Sequence, residues 1–346
     1  MNKYYKCLLL LLFYITSCSN NSEQLIEPID NISIDTTTIN FKPLKLNIQP
    51  LIPTNCCFLD SLFIVSEQFT KVKKNFFKIY YKDTLILEFG NIGQGPTDFI
   101  IPFLVSKGKN EEKAINIVDD YKYLQVSVNS NCKENITEKP LPKDFFMVNN
   151  VLLYNDTAIV VTKTGEYQIQ YYDRKKDSIS NYNFYKIPKK YKDLSKFSLT
   201  MQIFLSTYSA NEKNIVIAYK NYKMIDLVSI NNMKLNRRLY FKDYDKNNFE
   251  INNNEIVYNE EKLTYFTYVI AYQDSFWSLC WNDSFKEVSE GNVNSIIYQI
   301  DYKGNILKLY KTNIPITSFT IHNDEIYAIG LDSSKNEMGI YKSLLK

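Results

Sequence analysis

The sequence predicts an all-β protein, a six-bladed β-propeller whose blades are four-stranded antiparallel sheets. Three observations predict this fold. A hairpin marked by an acidic turn recurs about every 50 residues, as in propeller repeats. A second hairpin follows in each repeat, and a spare strand near the N-terminus matches a missing strand at the C-terminus. Tyr, Phe, Ile, Val and Thr are abundant throughout, and these residues suit strands.

Each repeat opens with an apolar run, an acidic turn residue and an alternating apolar strand. The turn residues are Asp60, Glu111, Asp156, Glu212, Asp274 and Asp324. The second hairpin of a repeat is clearest at 76–89, 167–184, 226–241 and 297–310. Two hairpins give a sheet with two apolar faces, and packing the sheets radially around an axis covers both faces.

The two ends of the chain support a closed ring. The last repeat contains only three recognisable strands before the chain stops. Segment 39–48, "INFKPLKLNI", is the spare strand that we expect to complete this last blade. Two stacked β-sandwiches are the alternative fold, but they would not require six comparable repeats.

Residues 1–17 are predicted to be an export signal. Lys3 and Lys6 precede an apolar run, Leu8 to Ile15, that is too short to span a bilayer. The residues "ITSC" that end at Cys18 resemble the bacterial lipobox, in which the cysteine becomes the acylated first residue of the mature protein. A plain secretory signal with a chance cysteine is the alternative.

Lipidation at Cys18 would attach an otherwise soluble body to a membrane of the cell envelope. Residues 18–38 are rich in Asn, Ser and Thr and predict a flexible tether, and residues 39–346 form the predicted propeller. No aspartate follows Cys18, which favours the outer membrane over the inner one and leaves its periplasmic and surface faces both open.

Composition limits the classes of partner. The chain carries 41 Lys and Arg against 38 Asp and Glu, a net charge of +3, without a basic stripe, so nucleic acid is not expected. The body contains four cysteines, Cys56, Cys57, Cys132 and Cys280, without a C-x-x-C motif, so neither a zinc site nor a redox pair is indicated. A disulfide is permitted by export, but no pairing follows. We expect a monomeric body with no metal and no cofactor.

Three of the nine glycines lie in "FGNIGQGPTDF", residues 89–99. A phosphate-binding loop is one explanation, but no Lys-Ser/Thr pair follows and the next residues predict a strand. The other explanation is a shaped crossing from the rim of the first blade to the axis of the second. Glycine permits positive φ and Pro96 fixes its own φ, so Gly93, Gly95 and Pro96 are predicted to shape this loop.

The same segment carries a family resemblance. Gly93, Gln94, Gly95, Pro96 and Phe99 resemble the Gly-x-Gly-Pro signature after the first blade of the TolB-like six-bladed β-propeller lipoproteins of Bacteroidetes. Thr97 and Asp98 depart from the usual Gly-Glu. The resemblance covers most of the chain and implies the propeller fold and an envelope location, and it assigns no catalytic residue.

Catalysis is not expected from the sequence. His322 is the one histidine, and no hydrolase, metalloprotease or calcium-loop motif occurs. The pair Asp119 and Asp120 suits either a strand-ending turn or acid/base and cation-binding work. A hydrolase or lyase of envelope or dietary polymers remains the alternative function, and it would require several carboxylates at the mouth of the channel.

A binding or interaction role is better motivated. In a propeller, the crossings between blades share one face with the loops joining second and third strands. The candidate binding residues expected there are Gln94, Asp98, Asp119, Tyr121 and Trp281. They suit a glycan or peptide, although Trp281 is equally consistent with packing between blades. A protein partner in the envelope is the third possibility, and conspicuous apolar residues on loops would favour it.

Four Asp-Ser/Thr-apolar triplets raise the question of modification. They begin at Asp60, Asp83, Asp156 and Asp177 and are similar to an O-glycosylation pattern of exported proteins in this bacterial group. Hairpin-turn chemistry explains the same triplets without sugar.

Overall fold

The structure is a computed structural model. It describes residues 22–26, 36–68, 75–93, 95, 98–105, 114–119, 122–128, 133–145, 148–163, 165–242, 244–246, 249–252, 255–257, 261–291, 295–332 and 337–345. The predicted signal and Cys18 lie outside these residues, as do Gln94, Pro96, Tyr121 and Cys132.

The predicted six-bladed propeller is confirmed. Three short strands precede the first complete blade: β1 (Ser22–Ile26), β2 (Thr36–Ile39) and β3 (Lys42–Pro43). Blade 1 contains β4 (Pro53–Leu59), β5 (Leu62–Glu67), β6 (Asn75–Tyr81) and β7 (Thr84–Asn91). Blade 2 contains β8 (Pro102–Val105), β9 (Ala114–Asp119), β10 (Lys122–Val128) and β11 (Glu134–Lys139). Blade 3 contains β12 (Val148–Tyr154), β13 (Ala158–Lys163), β14 (Ile169–Asp173) and β15 (Ser178–Tyr182).

The second half of the ring repeats this plan with one insertion. Blade 4 contains β16 (Ser206–Ala210), β17 (Asn214–Tyr219), β18 (Met224–Ser229) and β19 (Lys234–Phe241). A small hairpin, β20 (Glu250–Asn252) and β21 (Glu255–Val257), precedes blade 5. Blade 5 contains β22 (Leu263–Tyr272), β23 (Ser275–Ser284), β24 (Ile296–Asp301) and β25 (Ile306–Thr312). Blade 6 contains β26 (Ile316–His322), β27 (Glu325–Asp332) and β28 (Glu337–Leu344), and its fourth strand is β3.

The N-terminal strand closes the last blade, as the sequence predicted. β3 pairs antiparallel with β28, with Pro43 opposite Tyr341. The Leu44 amide extends the pairing by donating to Ile340 O over 2.8 Å. The closing strand is shorter than segment 39–48 at both ends. Ile39 belongs to β2, and by Asn47 the chain has reached blade 1, where the Asn47 amide donates to Asp83 O over 3.0 Å.

Part of the predicted tether is paired with the propeller. β1 runs parallel to β19 at the outer edge of blade 4, and β2 runs parallel to β25 at the outer edge of blade 5. An outer strand presents a row of unpaired N–H and C=O groups, which an extended segment satisfies through its backbone. The polar composition of 18–38 predicted a segment that cannot form a hydrophobic core of its own. Pairing through backbone hydrogen bonds does not require such a core.

Because neighbouring strands alternate in direction, the loops divide between two faces. The connections from a fourth strand to the next blade and the loops between second and third strands define the crossing face. The turns between first and second and between third and fourth strands define the turn face. The acidic turn residues that the structure describes, Asp60 and Asp324 among them, lie on the turn face. The two-residue β-hairpin turns there include left-handed residues, with φ of 51° at Asp60.

Helical turns occur only on the crossing face among the described residues. The connection from blade 3 to blade 4 contains a 3₁₀ turn at Lys189–Tyr191, a helical turn at Lys196–Ser198 and a π turn at Leu199–Ile203. A short helix, Phe285–Ser289, lies between β23 and β24. In the part of the chain that the structure describes, no helix is long and apolar enough to cross a membrane.

Candidate functional site

The glycine-rich crossing between blades 1 and 2 is shaped by Asp98. Its carboxylate accepts a hydrogen bond from the Gly95 amide over 3.0 Å. A Cβ at Gly93 or Gly95 would collide with the same carboxylate. Of the three glycines in this segment, all within the described residues, only Gly90 uses the left-handed region, with φ of +87°. Positive φ was therefore the wrong reason for Gly93 and Gly95, which are required by close approach.

Asp119 fixes the end of this crossing. It is 1% exposed, and its carboxylate accepts hydrogen bonds from the Ile100 amide over 3.0 Å and the Ile101 amide over 2.7 Å. The Lys122 ammonium donates to Gly95 O over 3.0 Å. Asp98 and Asp119, two of the candidate binding residues, thus share this crossing and hold its backbone. Their contact with a ligand stays a prediction.

Trp281 lies between blades 5 and 6. It is 8% exposed, and its indole N–H donates to Ile316 O over 2.9 Å. These contacts favour the packing alternative that the sequence left open. The other two candidates, Gln94 and Tyr121, lie outside the described residues.

A cavity of about 210 Å³ lies at the axis of the ring, where the inner strands of blades 1 to 5 meet. Its walls are mostly polar and uncharged, and they include Asn55, Asn150, Thr162, Tyr208 and Tyr268. Lys220 is its one charged residue among the described lining. The cavity is reached from the crossing face, because Lys220 begins the loop between β17 and β18.

Tyr268 connects two blades that are not adjacent. Its hydroxyl, on the inner strand of blade 5, lies 3.0 Å from Asn55 Oδ1 on the inner strand of blade 1. Burial raises the pKa of Tyr268 above its usual range, so the phenol stays protonated and donates this bond. The pair forms part of the wall of the cavity.

Lys220 is held in place by its own backbone. Its amide donates to Leu205 O over 2.8 Å, and its carbonyl accepts from the Tyr265 amide over 2.8 Å. Burial lowers the pKa of Lys220. Burial, and then the charge of Lys220, lower the pKa of Lys262 to about 8. Two lysines therefore contribute positive charge to this part of the crossing face, and sequence reasoning singled out neither.

Other chemistry-bearing groups lie away from the cavity. His322 is on the turn face, where its ring stacks on Phe58 at 4.1 Å and burial lowers its pKa. Within the described residues, no three His, Cys, Asp or Glu side chains gather as metal ligands would. The described lining of the cavity includes no carboxylate, although the hydrolase alternative required several there.

Cys56, Cys57 and Cys280, the described cysteines of the body, are not paired in disulfides. Cys56 and Cys280 are buried and Cys57 is partly buried. Burial raises the pKa of Cys56, and it raises the pKa of Cys280 to about 12. A thiol with a raised pKa is a poor nucleophile, so Cys56 and Cys280 act as small apolar side chains in the core.

Exposed apolar side chains concentrate on the crossing face. The described large apolar residues exposed there are Leu51, Ile92, Ile100, Ile101, Phe103, Ile187, Phe197, Ile251 and Val257. The others with such exposure are Ile48, Tyr81, Leu307 and Leu344, which lie at the turn face or the rim. The crossing face is therefore apolar around the polar channel mouth, a distribution that a single sequence does not reveal because it depends on side-chain exposure.

Comparisons with known proteins show the fold. No protein-family model and no curated protein matches the chain. A protein assigned as exported in Bacteroides fragilis NCTC 9343 superposes with a TM-score of 0.54 at 12% identity, over 92% of this chain and 99% of that one. A DUF4221 family member from Bacteroides vulgatus ATCC 8482 gives 0.56 at 10% identity, over 90% and 97%. The chain is similar in fold to these Bacteroides proteins.

Proposed function

We propose that the protein is a non-catalytic interaction module of the cell envelope, which docks a protein partner on its crossing face. The concentration of exposed apolar residues on that face carries the proposal. Large exposed apolar patches on soluble proteins mark interaction sites, and interface cores are depleted of charge. The turn face shows no comparable concentration among its described residues.

The crossing face is also built rigidly, which lowers the entropic cost of docking. Asp119 holds Ile100 and Ile101 through their amides. In the crossing from blade 3 to blade 4, Ser195 caps the turn that contains Phe197 by accepting from the Ser198 amide over 3.0 Å. Apolar side chains on fixed backbone are the arrangement expected of a preformed docking surface.

Location in the envelope is supported by several features. The lipobox resemblance proposes a lipid on Cys18, and the glycine-proline segment resembles the TolB-like lipoprotein propellers. β1 runs parallel to β19, which runs toward the crossing face, so Ser22 lies at the turn-face end of blade 4. Four residues span at most roughly 14 Å. A lipid on Cys18 would therefore keep the turn face near the membrane, most simply the outer membrane, and turn the crossing face away from it.

Two matched variants test the docking face. Ile101 on the crossing face is 62% exposed, and Leu344 at the turn-face end of β28 is 60% exposed. The protein and its Ile101→Glu and Leu344→Glu variants are captured from envelopes of the cells that naturally produce it, and co-captured proteins are quantified by mass spectrometry. We expect one protein to be lost with Ile101→Glu and kept with Leu344→Glu. Equal recovery from both variants would contradict the proposal.

A further inference from the structure

We propose that the cavity at the channel mouth is a carboxylate-binding site, in which Lys220 receives an acidic group carried by the partner docked on the crossing face. The group is a chain terminus or an acidic side chain of that partner. The inference rests on the proposed function, and it adds the chemistry that the centre of the docking surface recognises.

The first support is the charge of Lys220. The side chain lines the cavity, and none of the ion pairs found within the described residues involves it. A partly desolvated ammonium without a counter-ion is unfavourable. The charge of Lys220, after burial, contributes to the lowered pKa of Lys262, so a second positive charge lies near Lys220. An anion in the cavity would offset the cost of desolvating Lys220.

The second support is a pair of buried polar atoms that have no partner among the described residues. They are Thr162 Oγ1 and Asn150 Oδ1, and both residues line the cavity. Thr162 is 1% exposed, so its hydroxyl has no access to bulk water. A hydroxyl can donate to a carboxylate oxygen, and the Asn150 amide offers N–H donors in its alternative orientation. Buried polar groups of this kind are normally satisfied by a ligand or an ordered water, and a carboxylate in the cavity would supply the partner.

The third support is size. The cavity volume of about 210 Å³ is below the roughly 300–1,000 Å³ of pockets that enclose whole small-molecule ligands. It suits one small polar group rather than a complete cofactor or oligosaccharide. Phe103 lines the cavity and is 49% exposed, so it offers an apolar contact for the stem of the entering group. The surrounding apolar crossing face would cover the remainder of the partner.

The test compares an acid with its amide. Binding of N-acetylglycine and of N-acetylglycinamide to the full chain is measured by calorimetry at neutral pH and low salt. Lys220→Met removes the charge, and Lys213→Met is its matched control. Lys213 is exposed and precedes β17, whereas Lys220 follows the same strand at its other end.

We expect the protein and Lys213→Met to bind the acid and not the amide. Loss of a charged hydrogen bond should weaken acid binding by Lys220→Met about tenfold to a hundredfold. Thr162→Val, which removes the hydroxyl at nearly constant volume, should weaken it severalfold without lowering the unfolding midpoint. The inference would be overturned by any of three results. Lys220→Met could bind the acid as tightly as the unsubstituted protein does, the unsubstituted protein could bind the amide as tightly as the acid, or it could fail to bind the acid at millimolar concentration.

Competition separates this inference from the proposed function. If the carboxylate belongs to the docked protein, saturating N-acetylglycine lowers capture of the partner that Ile101→Glu loses, and Lys220→Met captures less of it. Unchanged capture in both cases overturns the partner-borne carboxylate while docking on the crossing face stands. Capture that is insensitive to Ile101→Glu overturns the docking face itself, whatever the calorimetry gives.

Discussion

Tyr268 and Asn55 join the inner strands of blades 5 and 1 through a hydrogen bond of 3.0 Å. Inner strands of neighbouring blades also exchange hydrogen bonds, as between the Ala271 amide and Ser209 Oγ over 2.8 Å. The hydrogen bond of Tyr268 is different because it links blade 5 directly to blade 1, although blade 6 lies between them in the ring. It closes one side of the channel. The mouth of the channel is therefore a structured cavity with a defined wall.

Tyr268→Phe should show how much this bond stabilises the ring. The substitution removes one of two donors to Asn55 Oδ1, the other being the Cys56 amide at 2.8 Å, so the free energy of unfolding should fall by about 0.5–1.5 kcal/mol. Urea denaturation measures the change. Tyr81→Phe is the control, since Tyr81 is 47% exposed at the turn face and its loss of hydroxyl should have little effect. Equal effects of the two variants would show that the bond across the channel contributes little.

Blade 4 depends on a buried ion pair that connects it to the preceding crossing. The Arg238 guanidinium donates to both oxygens of Asp226, each over 2.6 Å, and to Phe184 O over 2.6 Å. Tyr219 donates to Asp226 over 2.7 Å. Asp226 and Arg238 are both fully buried, so we expect the contribution of this ion pair to be structural.

Arg238→Met should destabilise the protein strongly, because it leaves the Asp226 carboxylate buried with less compensation. Breaking one partner of such a pair costs about 3–5 kcal/mol. The double variant Arg238→Met with Asp226→Leu should recover much of that loss, as measured by chemical denaturation. If the double variant is as unstable as the sum of the two single variants, the pair is not coupled as the structure indicates.

Close packing between Gly93 and Asp98 gives a second coupled pair. Gly93→Ala should lower the free energy of unfolding by about 1–3 kcal/mol, because the added Cβ collides with the Asp98 carboxylate. Asp98→Ala in the same protein removes the obstacle and should make Gly93→Ala nearly neutral. A double-mutant cycle by thermal unfolding measures this coupling, and additive effects would argue against close approach as the reason for the glycine.

Lys262 should make stability rise with pH. Its folded pKa of about 8 lies below the ordinary value of 10.5. The unfolded chain therefore binds more protons between these values, and the free energy of unfolding contributed by this group increases from pH 8 upward. Denaturation at pH 7, 8 and 9 should show a steeper increase for the protein than for Lys262→Met. Parallel curves would show that Lys262 titrates normally.

The sequence predicted the ring because its signals are local. Acidic turns such as Asp60 and Asp324 mark the hairpins, and the unmatched strand at 39–48 indicated how the ring closes. Pairing of β1 and β2 with outer edges was not predicted, since it depends on backbone groups that are exposed only once blades exist. The spacing of the hairpins was therefore enough to predict the fold. The pairing at the outer edges of the blades has no corresponding pattern in the sequence.

The candidate site was only partly accessible from the sequence. Asp98 and Asp119 were predicted to be binding residues on the crossing face; the structure gives their carboxylates backbone partners, and their contact with a ligand stays a prediction. Lys220 was missed. Its one signal is a lysine directly after the apolar strand "NIVIAY", and many surface lysines share that position. Lys220 differs from those lysines because it lines a polar cavity whose described lining includes no carboxylate. That cavity exists only where five blades meet at the axis.

The most direct test of the docking face maps contacts residue by residue. A photo-crosslinking amino acid is placed at Ile187 on the crossing face, which is 48% exposed, and separately at Tyr81 on the turn face, which is 47% exposed. Both proteins are irradiated in the cells that naturally produce the chain. Docking on the crossing face predicts a discrete protein adduct from position 187 and none of that size from position 81. The same adduct from both positions, or from position 81 alone, would contradict it.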